Sequence, residues 1–140
     1  MASLGKSFIY RGSKEKNIVS DLYILRIDQK KCNPHYIDIL LKTKLGRDQI
    51  QRNEKGVSGQ TKITSDMIEN FTVPIIRSEV QGNIESEYKK MSAFHDKAME
   101  EKSKGDISTY ESNLKTAEDM LKDLVTKTEA VIRGEREDVA

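Results

Sequence analysis

The chain has 140 residues, of which 36% are hydrophobic and 34% are charged, so we expect one small domain, alone or with an appendage. No apolar run approaches the roughly 18 residues that span a bilayer, and the segment MASLGKSFIYRG lacks the apolar stretch of a signal peptide. Together with the single Cys32, which excludes an internal disulfide, this predicts a cytoplasmic protein with no membrane partner.

The net charge of +1 divides unevenly along the chain. Residues 1–62 contain 13 Lys and Arg against 6 Asp and Glu, whereas residues 63–140 contain 11 against 17. A basic half followed by an acidic half predicts that the first contacts a polyanion and that the second has a different partner. The alternative interpretation is a dipolar surface without any partner.

Three segments before residue 77 are predicted to be strands or extended chain. Residues 7–10 and 17–28 are rich in Ile, Val, Leu and Tyr, and the polar residues between them are typical of a hairpin loop. The segment FTVPII at 71–76 is predicted to be a strand or an extended segment, and its proline restricts it to the edge of a sheet or to an exit from it. Two glycines in GVSG at 56–59 indicate a tight, exposed loop upstream of it.

Short helices are predicted between these segments. Asn33 is a favourable N-cap and Pro34 suits the first helical position, where a missing N–H leaves nothing unsatisfied. Gly46 is expected to bend or end this helix, so that residues 47–52 form a second, short one. Thr64 is expected to cap a further helical turn.

The second half is predicted to be two long helices. Residues 78–104 form the first, Gly105 and Asp106 break it, and Ser108 with Glu111 forms a capping box for the second. In the second helix, apolar or small residues recur at alternating steps of four and three, as in a heptad seam. The seam residues are Tyr110, Leu114, Ala117, Leu121, Leu124, Thr128 and Val131. Similar lengths and a short turn predict an antiparallel coiled-coil hairpin, whose seam either closes on itself or also offers its flanks to other helices.

No pattern typical of covalent chemistry is present. The sequence NPHY at 33–36 is comparable with the Asn-Pro-Pro-Tyr loop of N6-adenine methyltransferases, but the glycine-rich cofactor loop which that chemistry needs is missing. His35 and His95 are far apart in the sequence, and neither has a cysteine or carboxylate at ligand spacing. We therefore expect a protein that is not an enzyme, with no catalytic residue, no metal and no cofactor.

Several short motifs follow one another between residues 22 and 75. They are Arg26 and Asp28, Asn33–Pro34–Tyr36, the Gln- and Arg-rich stretch 49–52, Gly56–Ser58–Gly59–Gln60, Ile63 with Ile68, and Val73–Pro74. In this order they resemble the second half of a target recognition domain from the specificity subunit of a type I restriction–modification system. The resemblance extends from about residue 4 to residue 132.

The resemblance implies a fold, a function and partners. The expected fold is α+β: a small, partial mixed α/β recognition domain at 1–77, a long antiparallel two-helix coiled-coil hairpin at 78–134, and a disordered tail at 135–140. Such subunits have no activity of their own; they bind double-stranded DNA, supply its sequence specificity and hold the DNA methyltransferase and restriction subunits. A second copy of the chain is a further candidate partner. The alternative is a coiled-coil protein–protein adaptor, or a remnant fragment, without DNA binding.

The implied DNA contacts are of two kinds. Lys and Arg contact phosphates without reading sequence, whereas side chains with paired donors and acceptors read bases. The phosphate candidates are Lys6, Arg11, Lys14, Lys16, Lys42, Lys44, Arg47, Arg52, Lys55 and Lys62, and the base-reading candidates are Gln49, Gln51, Arg52, Ser58 and Gln60. The hairpin is expected to act as a spacer and a docking surface for the other subunits.

Overall fold

The computed structural model describes residues 6–11, 23–55 and 63–140, with the side chains of 53–55 excepted. These ranges contain five helices: α1 Pro34–Lys42, α2 Lys44–Lys55, α3 Ser65–Glu69, α4 Ser78–Ser103 and α5 Ile107–Ile132. The chain divides into two compact units, unit 1 at Met1–Ile75 and unit 2 at Ile76–Ala140. Every helix in the described ranges is too short or too polar to cross a membrane.

The predicted mixed α/β domain is wrong. Within the described ranges no residue belongs to a strand, and 7–10, 23–28 and 71–76 are irregular chain. The residues of 23–25 have high β propensity, but that propensity reflects the fit of a side chain to a half-buried, pleated surface. Here three consecutive side chains are exposed, so the alternation of a half-buried strand is absent. The remainder of the predicted hairpin, residues 12–22, lies outside the described part of the chain.

Two helix starts confirm the predicted N-caps. At α1 the Asn33 Oδ1 accepts a hydrogen bond from the His35 N–H at 2.8 Å, and Pro34 occupies the first helical position. At α3 the Thr64 hydroxyl accepts a hydrogen bond from the Met67 N–H at 3.3 Å. In both cases a short polar side chain satisfies one of the backbone donors that a helix N-terminus leaves without a helical partner.

The break between α1 and α2 lies at Thr43 and not at Gly46. The Thr43 N–H donates to the carbonyls of Ile39 and Leu40, and its hydroxyl donates to the Leu40 carbonyl at 2.6 Å. Gly46 is instead inside α2, where a Cβ atom would lie 2.2 Å from the Leu40 carbonyl oxygen. The glycine is therefore required because α2 begins so close to the end of α1.

The apolar core formed by the described residues of unit 1 is small. Its buried apolar side chains are Tyr36, Ile39, Leu40, Ile50 and Met67. The Tyr36 hydroxyl donates to the Pro74 carbonyl at 2.5 Å, which fixes the chain after α3 against α1. Burial raises the pKa of Tyr36, with a smaller contribution from Cys32, so the phenol remains a neutral donor.

Unit 2 is built on two helices of 26 residues each that pack against one another. At the turn between them Gly105 has a φ of +81°, and the Asp106 N–H donates to the Glu101 carbonyl at 3.0 Å, which is a Schellman motif. The capping box predicted from Ser108 is wrong. Asp106 is the N-cap of α5, and its Oδ1 accepts a hydrogen bond from the Thr109 N–H at 3.1 Å.

The predicted seam residues of α5 are all at least half-buried. Ala117, Leu124 and Thr128 are buried, whereas Tyr110, Leu114, Leu121 and Val131 are half-buried. On α4 the buried apolar residues are Val80, Ile84, Tyr88 and Ala98. The two buried stripes together form the apolar core of unit 2.

Residues 134–140 turn back onto the hairpin, whereas the sequence favours a disordered tail for 135–140. The Asn83 amide donates to the Asp138 carboxylate at 2.7 Å, and Val139 is buried. Desolvation opposes ionisation of Asp138, but hydrogen bonds from the neighbouring N–H groups and from Asn83 outweigh it and lower the pKa of Asp138. The segment is thus fixed by both a polar and an apolar contact.

Candidate nucleic-acid interface

Helix α2 carries most of the predicted DNA-contacting residues that the structure describes. Positions 44, 47, 48, 51 and 55 recur at three- and four-residue spacing and therefore share one side of the helix, with position 52 at its edge. We call this surface the α2 face; its described side chains are those of Lys44, Arg47, Asp48, Gln51 and Arg52. Three of these side chains are cationic and one is acidic, and a shallow depression lined by Leu45, Asp48, Gln51 and Arg52 lies along the α2 face.

Gln49 is on the opposite side of α2. Its side chain is only 7% exposed; its Nε2 donates to the Thr72 carbonyl at 3.0 Å, and its Oε1 accepts from the Thr72 N–H at 2.7 Å. Both ends of the amide are therefore engaged with one backbone unit. This placement does not agree with the predicted base-reading role, because a base edge would have to displace both hydrogen bonds. Gln49 instead fixes residue 72 to α2.

The acidic residue of the α2 face is paired on the surface. The Lys44 Nζ lies 2.7 Å from the Asp48 Oδ2, with both side chains well exposed, and the Arg52 Nε donates to the Asp48 carbonyl at 3.4 Å. An exposed helical ion pair at this spacing contributes only about 0.3–0.5 kcal/mol. Asp48 therefore does little to prevent Lys44 from contacting a phosphate.

Lys42, also a phosphate candidate, is engaged inside unit 1. Its Nζ donates to the Asp38 Oδ1 at 2.9 Å, to the Ser7 carbonyl at 2.9 Å and to the Ser7 hydroxyl at 3.1 Å. Asp38 is only 3% exposed, so removal of Lys42 would leave a buried carboxylate without its counter-charge. The placement favours a structural role for Lys42, which holds residues 6–11 on α1.

The other predicted contact residues are divided between exposed positions and positions outside the described residues. Arg11, Lys44, Gln51 and Arg52 are exposed, and Arg47 is half-buried. The side chain of Lys55 and the residues Lys14, Lys16, Ser58, Gln60 and Lys62 lie outside the described part. Of the five base-reading candidates, Gln51 and Arg52 are thus the two that the described structure places at the surface.

Residues that carry the family resemblance meet in unit 1. Asn33 caps the helix from which Tyr36 reaches Pro74, and Gln49 from the Gln- and Arg-rich stretch reaches the neighbouring Thr72. Sequence reasoning did not identify Thr72 as the partner of Gln49 or Ser7 as a partner of Lys42. The Thr72 backbone and the Ser7 carbonyl take part in these bonds, and no residue-type pattern marks a backbone partner.

The described residues contain no group of three or more His, Cys, Asp or Glu side chains arranged to hold a metal ion. Burial raises the pKa of the half-buried Cys32 thiol, although a hydrogen bond from the Asn33 backbone lowers it in part, so the reactive thiolate is disfavoured. No protein-family model, no curated protein and no solved structure matches the chain.

Proposed function

We propose that the chain is a non-catalytic, sequence-specific DNA-recognition module of a type I restriction–modification system, acting in the cytoplasm, and that α2 is the element that contacts double-stranded DNA. The observation that carries the proposal is the α2 face, where three cations, Lys44, Arg47 and Arg52, lie on the same side of a single helix as Gln51. The ordered motifs that resemble a specificity subunit support the same function. The proposal needs no β-sheet, because it places the contacts on a helix.

The dimensions of α2 suit this role. Its 12 residues extend over about 18 Å, and the major groove of B-DNA admits an α-helix. Lys44 and Arg47 would contact phosphates and set the register without reading sequence. Gln51 would read adenine through paired hydrogen bonds to N6 and N7, and Arg52 would read guanine through O6 and N7.

The opposite side of α2 keeps the α2 face in place. Gly46 allows the first turn of α2 to lie against the Leu40 carbonyl, and Gln49 holds Thr72 through two hydrogen bonds. A contact helix that is fixed before binding loses less conformational entropy when it meets its ligand. The buried residues of α2 therefore support the exposed ones.

The salt dependence of duplex binding tests the proposal. Fluorescence anisotropy with a labelled duplex of mixed sequence should show log affinity falling with log salt, at a slope of about −0.9 per phosphate contacted. Lys44→Ala should weaken binding and reduce this slope by about one unit, because Lys44 is assigned to a phosphate. Lys115→Ala, which removes one exposed charge from α5, is the matched control and should leave the slope unchanged. A flat salt response, or equal effects of the two variants, would contradict the proposal.

Base reading by Gln51 has its own test. Sequences selected from a pool of random duplexes should contain a preferred base pair at a position that Gln51→Ala relaxes, with a loss of discrimination of about 1–3 kcal/mol. Binding to non-specific duplex should remain unchanged, because a neutral glutamine contributes nothing to counterion release. Identical selected sites for the two proteins would remove Gln51 from the base-reading set.

The hairpin favours a second candidate function, that of a protein–protein adaptor. Phe94, Met99 and Ile107 are exposed on α4 and α5, and a partner helix would remove these apolar side chains from water. In the recognition module the same surface would hold the methyltransferase and restriction subunits. An adaptor that acts alone predicts no duplex binding, and assembly with those subunits that Ile107→Ser weakens and Arg52→Ala does not. Co-sedimentation with each subunit distinguishes the two candidates.

A further inference from the structure

The segment 6–11, with the sequence KSFIYR, presents two aromatic side chains to solvent. Phe8 is 74% exposed and Tyr10 is 51% exposed, whereas the alternating residues Ser7 and Ile9 are half-buried. Alternation with a period of two is that of an extended chain, in which residues two apart point to the same side. The two aromatic rings therefore share one side of the segment.

This segment is held in place by specific bonds. The ammonium group of Lys42 donates to both the carbonyl and the hydroxyl of Ser7, and it is itself paired with the buried Asp38. These bonds fix the inward-facing side of the segment on α1. The outward position of Phe8 and Tyr10 thus follows from how the segment is attached.

The charges around the two rings define the ligand that they suit. Lys6 and Arg11, at the two ends of the segment, are exposed cations. Flat apolar rings between cations suit a ligand that is itself flat and apolar in part and carries regular negative charges. An unpaired nucleic-acid strand has both properties, since its bases stack on aromatic side chains and its phosphates contact Lys and Arg.

We propose that Phe8 and Tyr10 form a stacking site for the bases of single-stranded nucleic acid, with Lys6 and Arg11 on its phosphates. Side chains two apart on an extended chain are separated by roughly 6.6–6.8 Å. That separation is twice the base-pair spacing of about 3.4 Å in DNA, so two parallel rings at these positions would accept one base between them. The site is separate from the α2 face and uses none of its residues, so it goes beyond duplex recognition.

The test uses the full chain and a fluorescein-labelled single-stranded DNA of mixed sequence, about 15 nucleotides long, at low salt. Loss of one stacking side chain weakens such complexes by about 1–3 kcal/mol, so Phe8→Leu and Tyr10→Leu should each reduce affinity about fivefold to a hundredfold. Tyr10→Phe keeps the ring and should bind like the unmodified chain. Binding to the corresponding duplex should remain within about twofold for all three variants, because the α2 face is intact.

The arms of this experiment separate the two proposals. Arg52→Ala should weaken duplex binding and leave base stacking on the single strand in place, so either site can fail without the other. Melting temperatures that match the unmodified chain would show that Phe8→Leu and Tyr10→Leu are folded. Three outcomes overturn the stacking site. The first is unchanged single-strand affinity in both leucine variants, and the second is an equal loss of affinity for single strand and duplex. The third is that the unmodified chain does not bind the single strand and instead self-associates through a contact that Phe8→Leu abolishes. The last outcome would assign the aromatic pair to a protein contact.

Discussion

In unit 2 the buried side chains recur every three or four residues along two helices, whereas in unit 1 the bonds that fix the chain join residues far apart in the sequence. The Tyr36 hydroxyl reaches a carbonyl 38 positions away, Lys42 reaches one 35 positions away, and Gln49 reaches one 23 positions away. Unit 2 also has long-range bonds, from Asn83 to Asp138 and from Arg77 to Glu137, but most of its buried apolar side chains lie along two helices joined by a short turn. Unit 1 therefore depends on a few specific polar contacts, and unit 2 on repeated apolar ones.

The two units also differ in the apolar surface that they expose. The large exposed apolar residues of unit 1 are Phe8, Tyr10, Tyr23, Ile24, Leu25 and Ile75, whereas those of unit 2 are Phe94, Met99 and Ile107. Unit 1 has a smaller apolar core and yet exposes more large apolar side chains among its described residues. Concentrations of exposed apolar side chains commonly mark binding surfaces. In unit 1 three of these side chains, at 23–25, are consecutive in the sequence, whereas those of unit 2 are separated from one another.

The strongest test of the comparison is a cavity in the core of unit 2. Leu124 is 3% exposed, so Leu124→Ala should lower the free energy of unfolding by about 2–5 kcal/mol. Leu121→Ala, on the same helix but at a half-buried position, should cost clearly less. Urea unfolding followed by far-UV circular dichroism measures both. Equal losses would show that Leu121 is packed as tightly as Leu124, which would contradict their different burial.

Gly46 in unit 1 and Gly82 in unit 2 differ in the space that an added Cβ atom would have, so alanine substitutions at the two positions should have opposite effects on stability. Gly46→Ala would place a Cβ 2.2 Å from the Leu40 carbonyl oxygen, so we expect a loss of about 2 kcal/mol despite the better helix propensity of alanine. Gly82→Ala is the matched control: its Cβ would have no neighbour within 4 Å, and we expect a gain of about 0.5–1 kcal/mol. Thermal unfolding measures both, and a gain at Gly46 would contradict the close packing of α1 and α2.

Sequence reasoning succeeded where a structure depends on neighbours along the chain. The caps at Asn33 and Thr64 follow from residue type and position, and the buried residues Ala117 and Leu124 follow from a heptad pattern. Both kinds of signal are complete within a few turns of helix.

Sequence reasoning failed where a distant residue or a competing signal decides the structure. At 23–25, residues with high β propensity suggested a strand, but burial against a sheet is a tertiary property. Gln49 and Gln51 look alike in the sequence, and only the position of Thr72 separates them. Asp106 and Ser108 are both good N-caps, and the turn at Gly105 places Asp106 where its carboxylate meets the Thr109 N–H.

The two glutamines of α2 sharpen the comparison on one helix. Gln49→Ala would leave the Thr72 N–H and carbonyl without their side-chain partners, so we expect a loss of about 1–2 kcal/mol in the free energy of unfolding. Gln51→Ala, at an exposed position, should change it by less than about 0.5 kcal/mol. Chemical unfolding of both variants gives the values. The reverse order would assign Gln51, and not Gln49, to the structural side of α2.

The smallest expected effect is electrostatic and belongs to the turn of unit 2. Hydrogen bonds from the N–H and the hydroxyl of Thr109 lower the pKa of Asp106 below its ordinary value of 3.8. A lowered pKa means that the native state favours the carboxylate, so this contribution is fully present above the ordinary value and is lost as pH falls through the lowered one. Asp106→Ala should lower Tm by a few degrees at neutral pH, and the difference should narrow in acid. Asp106→Asn can still cap the helix but does not titrate. The Tm difference between Asp106→Asn and Asp106→Ala should therefore stay constant as pH falls. A Tm difference between the unmodified chain and Asp106→Ala that stays constant from neutral pH into acid would show that the cap does not depend on the carboxylate charge.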